Sequence, residues 1–474
     1  MKNQMQRLKS ITIAFSKIPR SRIVVLVTGC LTFAISTLAG GFDPNLQEFP
    51  DPTGAVRTVS TTGSIDTTNP FFQSLGTNGR ACISCHQPGD AWTVTPPHIR
   101  ERFEDSHGLD PIFRPIDGSN CPSADVATEE ARRRSYSMLL EKGLIRISLA
   151  VPPNAEFVVT DVRDPHDCPE TTAQQLALFR RPLPSTNLKF LATVMWDGRE
   201  NAKGQTILQD LAQQSKDATT GHAQAVTPPT DEQAAAIVAF ETALFTAQDR
   251  DDRAGRLNQL GAIGGPDSIP SQPFFLGIND PLGGNPTNAP FNPNAFTIFD
   301  NWTGLPESAP HEEAREAVAR GQQLFNTLVI PITGVAGIND VLNQSVVMGF
   351  CTTCHDTPNS GNHSLSVPLN IGITDFPALA PLDTRGLPVY TLVCKATGQK
   401  FHVTDPGRAM ISGKCADIGK TKGPILRGLA ARAPYFHNGS GTTLLDVVNF
   451  YDRRFNLGLA ERQKLDLVAF LNSL

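Results

Sequence analysis

The sequence predicts a mainly α protein built as two small helical domains, and three observations carry that expectation. The frame C-x-x-C-H occurs twice, at Cys82-Ile83-Ser84-Cys85-His86 and at Cys351-Thr352-Thr353-Cys354-His355. Between the frames, residues 256–304 are dense in Gly, Pro and Asn and cannot sustain regular structure, so they read as a linker. Apolar residues recur at helical spacing on both sides of that linker. The resulting boundaries are a leader at 1–39, a first domain at 40–255 with an insertion at 101–177, the linker at 256–304, and a second domain at 305–474.

Each element has a local reason. Residues 1–39 hold six basic side chains and no acid, with an apolar run at 23–39 that ends in small residues, the pattern of an export signal. The run is near the lower length for spanning a bilayer, so an uncleaved anchor is the alternative; Cys30, after Val27-Thr28-Gly29, offers a third reading as a lipid-attachment site. In the insertion, residues 128–142 read as a charged helix, and the alternating segments 144–151 and 156–160 read as two short strands spaced for a β-hairpin. Thr230-Asp231-Glu232-Gln233 is a capping box opening a helix with apolar positions at Ala234, Ile237, Val238, Leu244 and Phe245. Residues 312–325 form another helix, and the last, about 460–474, offers Leu467, Val468, Leu471 and Leu474 on one stripe.

The chain carries 46 acidic and 41 basic side chains, and loss of the leader's six positive charges takes the formal charge from −5 to −11. An acidic body argues against nucleic acid as a partner. A single apolar stretch excludes a polytopic membrane protein and leaves the leader as the only route to a membrane.

Apart from Cys30, eight cysteines remain, and four of them make the two frames. Two thiols on one turn reach the two vinyl groups of one porphyrin, and the adjacent histidine lies beneath the iron as proximal ligand. Zinc would require two further ligands at short spacing, which neither frame has, and a redox dithiol requires a different context. Each half is therefore expected to be a cytochrome c-like haem domain. The expected cofactors are two covalently bound c-type haems, on Cys82, Cys85 and His86 and on Cys351, Cys354 and His355. Gly321 and Phe325 have the spacing by which a cytochrome c helix packs closely on a terminal helix. The remaining cysteines pair most simply as Cys121 with Cys168, closing the insertion, and Cys394 with Cys415, in an oxidising compartment.

Two longer strings narrow the reading. Residues 180–188 (RRPLPSTNL) running into Met195-Trp196-Asp197-Gly198-Arg199, and residues 423–428 (GPILRG) running into 433–440 (APYFHNGS), resemble the bacterial dihaem cytochrome c peroxidases. Their superfamily includes the dihaem enzyme that matures a tryptophylquinone cofactor. The resemblance covers roughly 70–100, 178–250 and 312–474. It implies a periplasmic peroxidase in which peroxide reacts at the N-terminal haem, with His86 proximal, and electrons arrive through the C-terminal haem, with His355 proximal. It makes Trp196 the aromatic bridge between them; a core anchor at the seam is a compatible role. It further implies a small electron donor, and the acidic surface selects a cationic one, a cytochrome c or a blue-copper protein. Family members are often dimers, which leaves a homodimer as an open expectation.

Several positions depart from the family. Its peroxidatic pocket holds a glutamine and, about ten residues later, an acid; laid on this chain, these places fall at Gln213 and His222, with Asp217 in reserve for the acid. Neutral imidazole can take the peroxide proton and return it, so His222 is the candidate general base; a sixth iron ligand or a turn residue beside Gly221 are its alternatives. The family's distal methionine at the second haem is replaced by Tyr451, as in the cofactor-maturing branch, and a phenolate ligand favours oxidised iron. A tyrosine packed in the core is the competing role, and Met348 and Met410 are the remaining sulfur candidates. His98 and His107 are candidate distal histidines of the first haem, and His437 a structural or propionate-contacting residue. The family's calcium asparagine aligns with Pro182, which leaves calcium with backbone carbonyls alone. Two further functions stay open: an oxidase storing oxidising equivalents on both haems to act on a protein or organic substrate, and a non-enzymatic dihaem electron carrier.

Overall fold

The computed structural model describes residues 47–474 except 202, 359 and 362, so the expected leader lies outside the described residues. Eleven strands occur among those described. The first six are β1 (Glu48–Asp51), β2 (Gly54–Ser60), β3 (Ile145–Ala150), β4 (Phe157–Arg163), β5 (Gln175–Arg180) and β6 (Leu244–Asp251). The others are β7 (Gly255–Arg256), β8 (Ile330–Thr333), β9 (Val346–Gly349), β10 (Val389–Cys394) and β11 (Lys400–Val403). They make four sheets, ordered β1-β2-β6-β7, β11-β10-β4, β3-β5 and β8-β9.

The mainly α expectation is therefore corrected: the protein is 30% helical and 17% strand. The physical reason is that several strands pair with segments distant in sequence, which local periodicity cannot reveal. Strand β2 runs antiparallel to β6, with Gly54 facing Asp251. The helix opened by the 230–233 capping box ends at Ala243, and Leu244 and Phe245, expected to continue it, instead begin the fully buried start of β6. The two expected strands of the insertion exist, but they do not form a hairpin. Strand β3 pairs with β5, and β4 joins β10 of the C-terminal half, with Val389 facing Arg163. Both expected disulfides are present, Cys121–Cys168 and Cys394–Cys415.

The helical readings hold elsewhere. The charged stretch is two helices, Glu129–Ser135 and Ser137–Lys142, interrupted at the buried Tyr136. Helix Glu312–Thr327 crosses helix Glu461–Asn472 at Gly321, where a Cβ would lie 2.0 Å from the Asp466 carbonyl oxygen. Only glycine permits that approach. Phe325 and Phe470 pack beside the crossing with ring centroids 5.4 Å apart. The 256–304 stretch has no helix or strand beyond Arg256 other than two 3-10 turns, and yet Phe296, Ile298, Phe299 and Trp302 are buried in this same core. Its side chains serve the hydrophobic interior while its backbone stays irregular.

Candidate functional site

The first frame begins with a 3-10 turn, Cys82–Ser84, after which the His86 amide donates to the Cys82 carbonyl (3.1 Å). Cys82, Cys85 and His86 thereby line one cavity. His86 Nδ1 lies 3.0 Å from the Trp92 carbonyl oxygen and 3.0 Å from Ser185 Oγ. Donation to that carbonyl fixes the proton on Nδ1 and leaves Nε2 as the nitrogen for a metal. Burial pulls the imidazole down to about 4, the neutral form a metal requires. Both thiols are free, and burial pushes Cys82 up to about 12.

Another wall of this cavity is helix Ile207–Gly221, capped by Thr206 and Gln209. Its Leu211, Gln214, Ser215, Ala218 and Thr219, followed by His222, recur at helical spacing along one face and line the cavity. Gln213 lies on the other face, exposed, its amide donating to Asp217 Oδ1 (3.0 Å). The glutamine at the cavity is thus Gln214, one position on from the expected residue. His222 Nδ1 is hydrogen-bonded to Asp117 Oδ2, and Arg80 Nη1 reaches Asp117 Oδ1 at 2.5 Å. Burial alone would raise Asp117, but His222 and Arg80 hold its carboxyl below the usual range. Sequence reasoning missed Asp117, because Asp117-Gly118 reads only as a turn in a segment outside the family resemblance, and Arg80, because its partner Asp117 lies 37 residues away.

The second frame repeats the turn at Cys351–Thr353, with the His355 amide donating to the Cys351 carbonyl (3.0 Å). Cys351, Cys354, His355 and Tyr451 line a second, mostly apolar cavity. Burial pushes both thiols up to about 12 and lowers His355 to about 4. Tyr451, from helix Leu444–Phe455, stacks near Phe455 (6.2 Å), and burial raises its phenol well above the ordinary value. Its cavity position keeps it a candidate ligand. Met348 is 63% exposed, and Met410 is buried in the core around β4 and β10; neither lines the cavity.

Trp196 lines both cavities, and so do Arg181, Pro182 and Lys422. Its indole donates to the Arg181 carbonyl (2.8 Å). The string around it is anchored by charge: Asp197, fully buried, is bound by Arg180 and by Arg199 (3.1 Å), and Arg180 also binds Asp405 through Nε at 2.7 Å. Gly198 sits at φ +68°, turning the chain so that Trp196 and Arg199 reach the first cavity. His437 packs against Trp196 (6.0 Å between rings) and lies 3.6 Å from Asp405. It lines neither cavity, and neither do His98, bound to Asp90 (2.7 Å), nor His107, exposed against Glu129 (2.9 Å). The Pro182 carbonyl accepts from Thr93 Oγ1 (2.7 Å).

The donor chemistry fits a thioether-bound porphyrin, and so does the charge. Arg181, Lys422 and Arg432 are buried cavity residues that form no ion pair with a carboxylate among the described residues. Their bonds go to backbone carbonyls, such as Lys422 Nζ to Thr193 (3.2 Å) and Arg181 Nη2 to Arg432 (3.1 Å). Burial lowers them to about 10, 7 and 10 for Arg181, Lys422 and Arg432. Buried cations without counter-ions are costly, and the propionates of a haem are carboxylates of the required sign.

No family model matches the chain. A protein named cytochrome-c peroxidase IdrP1 from Denitromonas iodatirespirans is 30% identical over 191 residues, 37% of this chain and 44% of that protein. Cytochrome-c peroxidase IdrP2 of the same organism is 36% identical over 141 residues, 27% of this chain and 36% of the relative. Cytochrome-c peroxidase IdrP1 of Pseudomonas sp. (strain SCT) is 29% identical over 144 residues, 26% of this chain and 36% of the relative. The chain thus spans less than half the length of these curated relatives. Taken with the two Cys-Cys-His frames, the similarity supports the bacterial cytochrome c peroxidase family as the one to which this chain is related.

Proposed function

We propose that the chain is an exported, periplasmic dihaem peroxidase. It reduces hydrogen peroxide to two waters at the first cavity, consuming two protons and two electrons delivered through the second. One observation carries this reading: His86, Gln214 and His222 line one cavity, and Trp196 lines both that cavity and the one that holds His355. A haem in each cavity would supply redox iron, the first for cleaving the peroxide O–O bond and the second for relaying electrons.

The chain's own residues do the rest. His86 offers Nε2 to the metal because Nδ1 keeps its proton and donates it in a hydrogen bond to the Trp92 carbonyl. His222 accepts the proton from the near peroxide oxygen and returns it to the departing one, and Gln214 orients the peroxide by hydrogen bonding. Arg181, Lys422 and Arg432 neutralise the cofactor's carboxylates. Trp196 fills the partition, giving electrons a continuous packed path. The acidic surface favours a small cationic donor, cytochrome c or blue copper, so turnover should fall steeply with added salt.

A second reading, an oxidase that stores oxidising equivalents on both haems, is favoured by Tyr451 in the second cavity. The deciding experiment is electron paramagnetic resonance of the oxidised holoprotein with stopped-flow mixing against one equivalent of peroxide. A high-spin first haem that reacts, beside a second haem that is re-reduced by the donor, supports the peroxidase. Two haems oxidised together and slow to accept donor electrons support the oxidase. Two six-coordinate haems indifferent to peroxide and cyanide would leave only an electron carrier.

A further inference from the structure

We propose that Asp117, delivered by the 101–177 segment, is a positioning residue for His222: it holds the imidazole in the one tautomer whose Nε2 can accept a proton in the first cavity. This rests on the reading of His222 as the proton acceptor. A carboxylate is an acceptor only, so its bond to His222 Nδ1 requires the hydrogen on Nδ1, and in the neutral ring this leaves the lone pair on Nε2.

The carboxylate is itself immobile. Asp117 is 4% exposed, and its second oxygen is taken by Arg80, which is 3% exposed. Arg80 is fixed in turn by bonds from Nε to the Pro111 carbonyl (2.8 Å) and from Nη2 to the Ile112 carbonyl (2.6 Å). Arg80 Nη1 (3.1 Å) and Asn78 Nδ2 (2.8 Å) also grip the His222 carbonyl. Both the ring and the backbone of residue 222 are therefore held. On the insertion side, the Arg146 amide donates to the Asp117 carbonyl (2.7 Å), and the Cys121–Cys168 disulfide closes the segment four residues on. A mere staple between Arg80 and the insertion would not need the second carboxylate oxygen on a cavity-lining imidazole.

The test uses the ferric holoprotein and hydrogen cyanide, which must lose its proton to bind a metal. Association rates are measured for wild type, His222→Gln, Asp117→Asn, Asp117→Glu and the Asp117→Asn/His222→Gln double variant, with far-ultraviolet circular dichroism and the haem absorption spectrum as folding checks. An asparagine can present its amide to Nδ1 and select the wrong tautomer. His222→Gln is expected to slow association by about 10²- to 10⁴-fold, and Asp117→Asn by at least about tenfold within that range. Asp117→Glu should fall between Asp117→Asn and wild type, and the double variant should match His222→Gln alone. If Asp117→Asn does not fold, Asp117→Glu carries the test, slower than wild type and without effect when combined with His222→Gln. An Asp117 variant at the wild-type rate, or one that slows the His222→Gln protein by the same factor as wild type, overturns the positioning role. A wild-type rate in His222→Gln instead overturns the reading of His222 itself, and the proposal with it.

Discussion

Gly321→Ala tests the packing beside the second C-x-x-C-H frame. The added Cβ would meet the Asp466 carbonyl oxygen at 2.0 Å and the Phe470 Cβ at 2.7 Å. Carbon against a carbonyl oxygen normally rests at about 3.3 Å or more, so the helices must separate by roughly 1 Å. The obstacle is backbone, which no rotamer change can remove. Separation strains the Arg320–Asp466 pair (3.0 Å) and loosens Phe325 against Phe470. Overpacking of this kind costs about 3 kcal/mol, and exchanging glycine for alanine in a helix returns about 1, leaving a net loss of about 2 kcal/mol. Urea unfolding of the holoprotein, followed by circular dichroism, measures it. Because the Phe325 ring is 6.1 Å from His355, the absorption of a haem held at that frame, as proposed, should shift while that of one held at the first frame stays put. A midpoint equal to or above wild type is what helix propensity alone predicts, and it would refute the close-approach argument.

Three further outcomes are expected. Gln214→Ala should lower kcat/KM for peroxide by about tenfold or more through loss of an orienting donor, whereas Gln213→Ala should leave it unchanged; the reverse order would show that the helix face has been misassigned. Glu241 is buried, and burial raises it from 4.5 to about 7, so it favours the fold fully below pH 4.5 and that contribution is lost as pH rises through 7. Glu241→Gln should therefore flatten stability between pH 5 and 8 and be the more stable form at pH 8, by denaturant midpoint, and an unchanged slope would count against a buried acid there. Replacing Cys121 and Cys168 by serine opens a 47-residue loop and should cost about 4 kcal/mol, read as a lowered unfolding midpoint under non-reducing conditions, where the Cys394–Cys415 disulfide stays intact.

Legibility in the sequence followed the range of the interaction. The two C-x-x-C-H frames and the capping box depend on residues within a turn or two of each other and could be read directly; the crossing of Gly321 on Asp466 is long-range, and only the Gly321–Phe325 spacing pointed to it. Strand β5 was missed because its apolar run, Leu176 to Phe179, has no polar alternation when both faces are buried. Strand β4 was recognised but given the wrong partner, because β10 lies in the other half of the chain. In the site, the choice between Gln213 and Gln214 turned on helix phase, which a string alignment does not carry. Asp117 was invisible because what identifies it is its neighbour in space, His222.

The β4–β10 pairing has a topological consequence. A segment from the first half is a structural strand of the second, while the second half's Lys422 and Ile425 complete a wall of the first cavity. The halves are interlocked and not strung in series, so expressing residues up to 255 alone would strip β4 of its partner and expose a raw sheet edge. Folding must also wait for closure of a very long loop before that edge is satisfied, which makes the whole-chain contact a late and slow event. A nick in the exposed 286–290 stretch, by contrast, should leave two fragments that co-migrate until denatured.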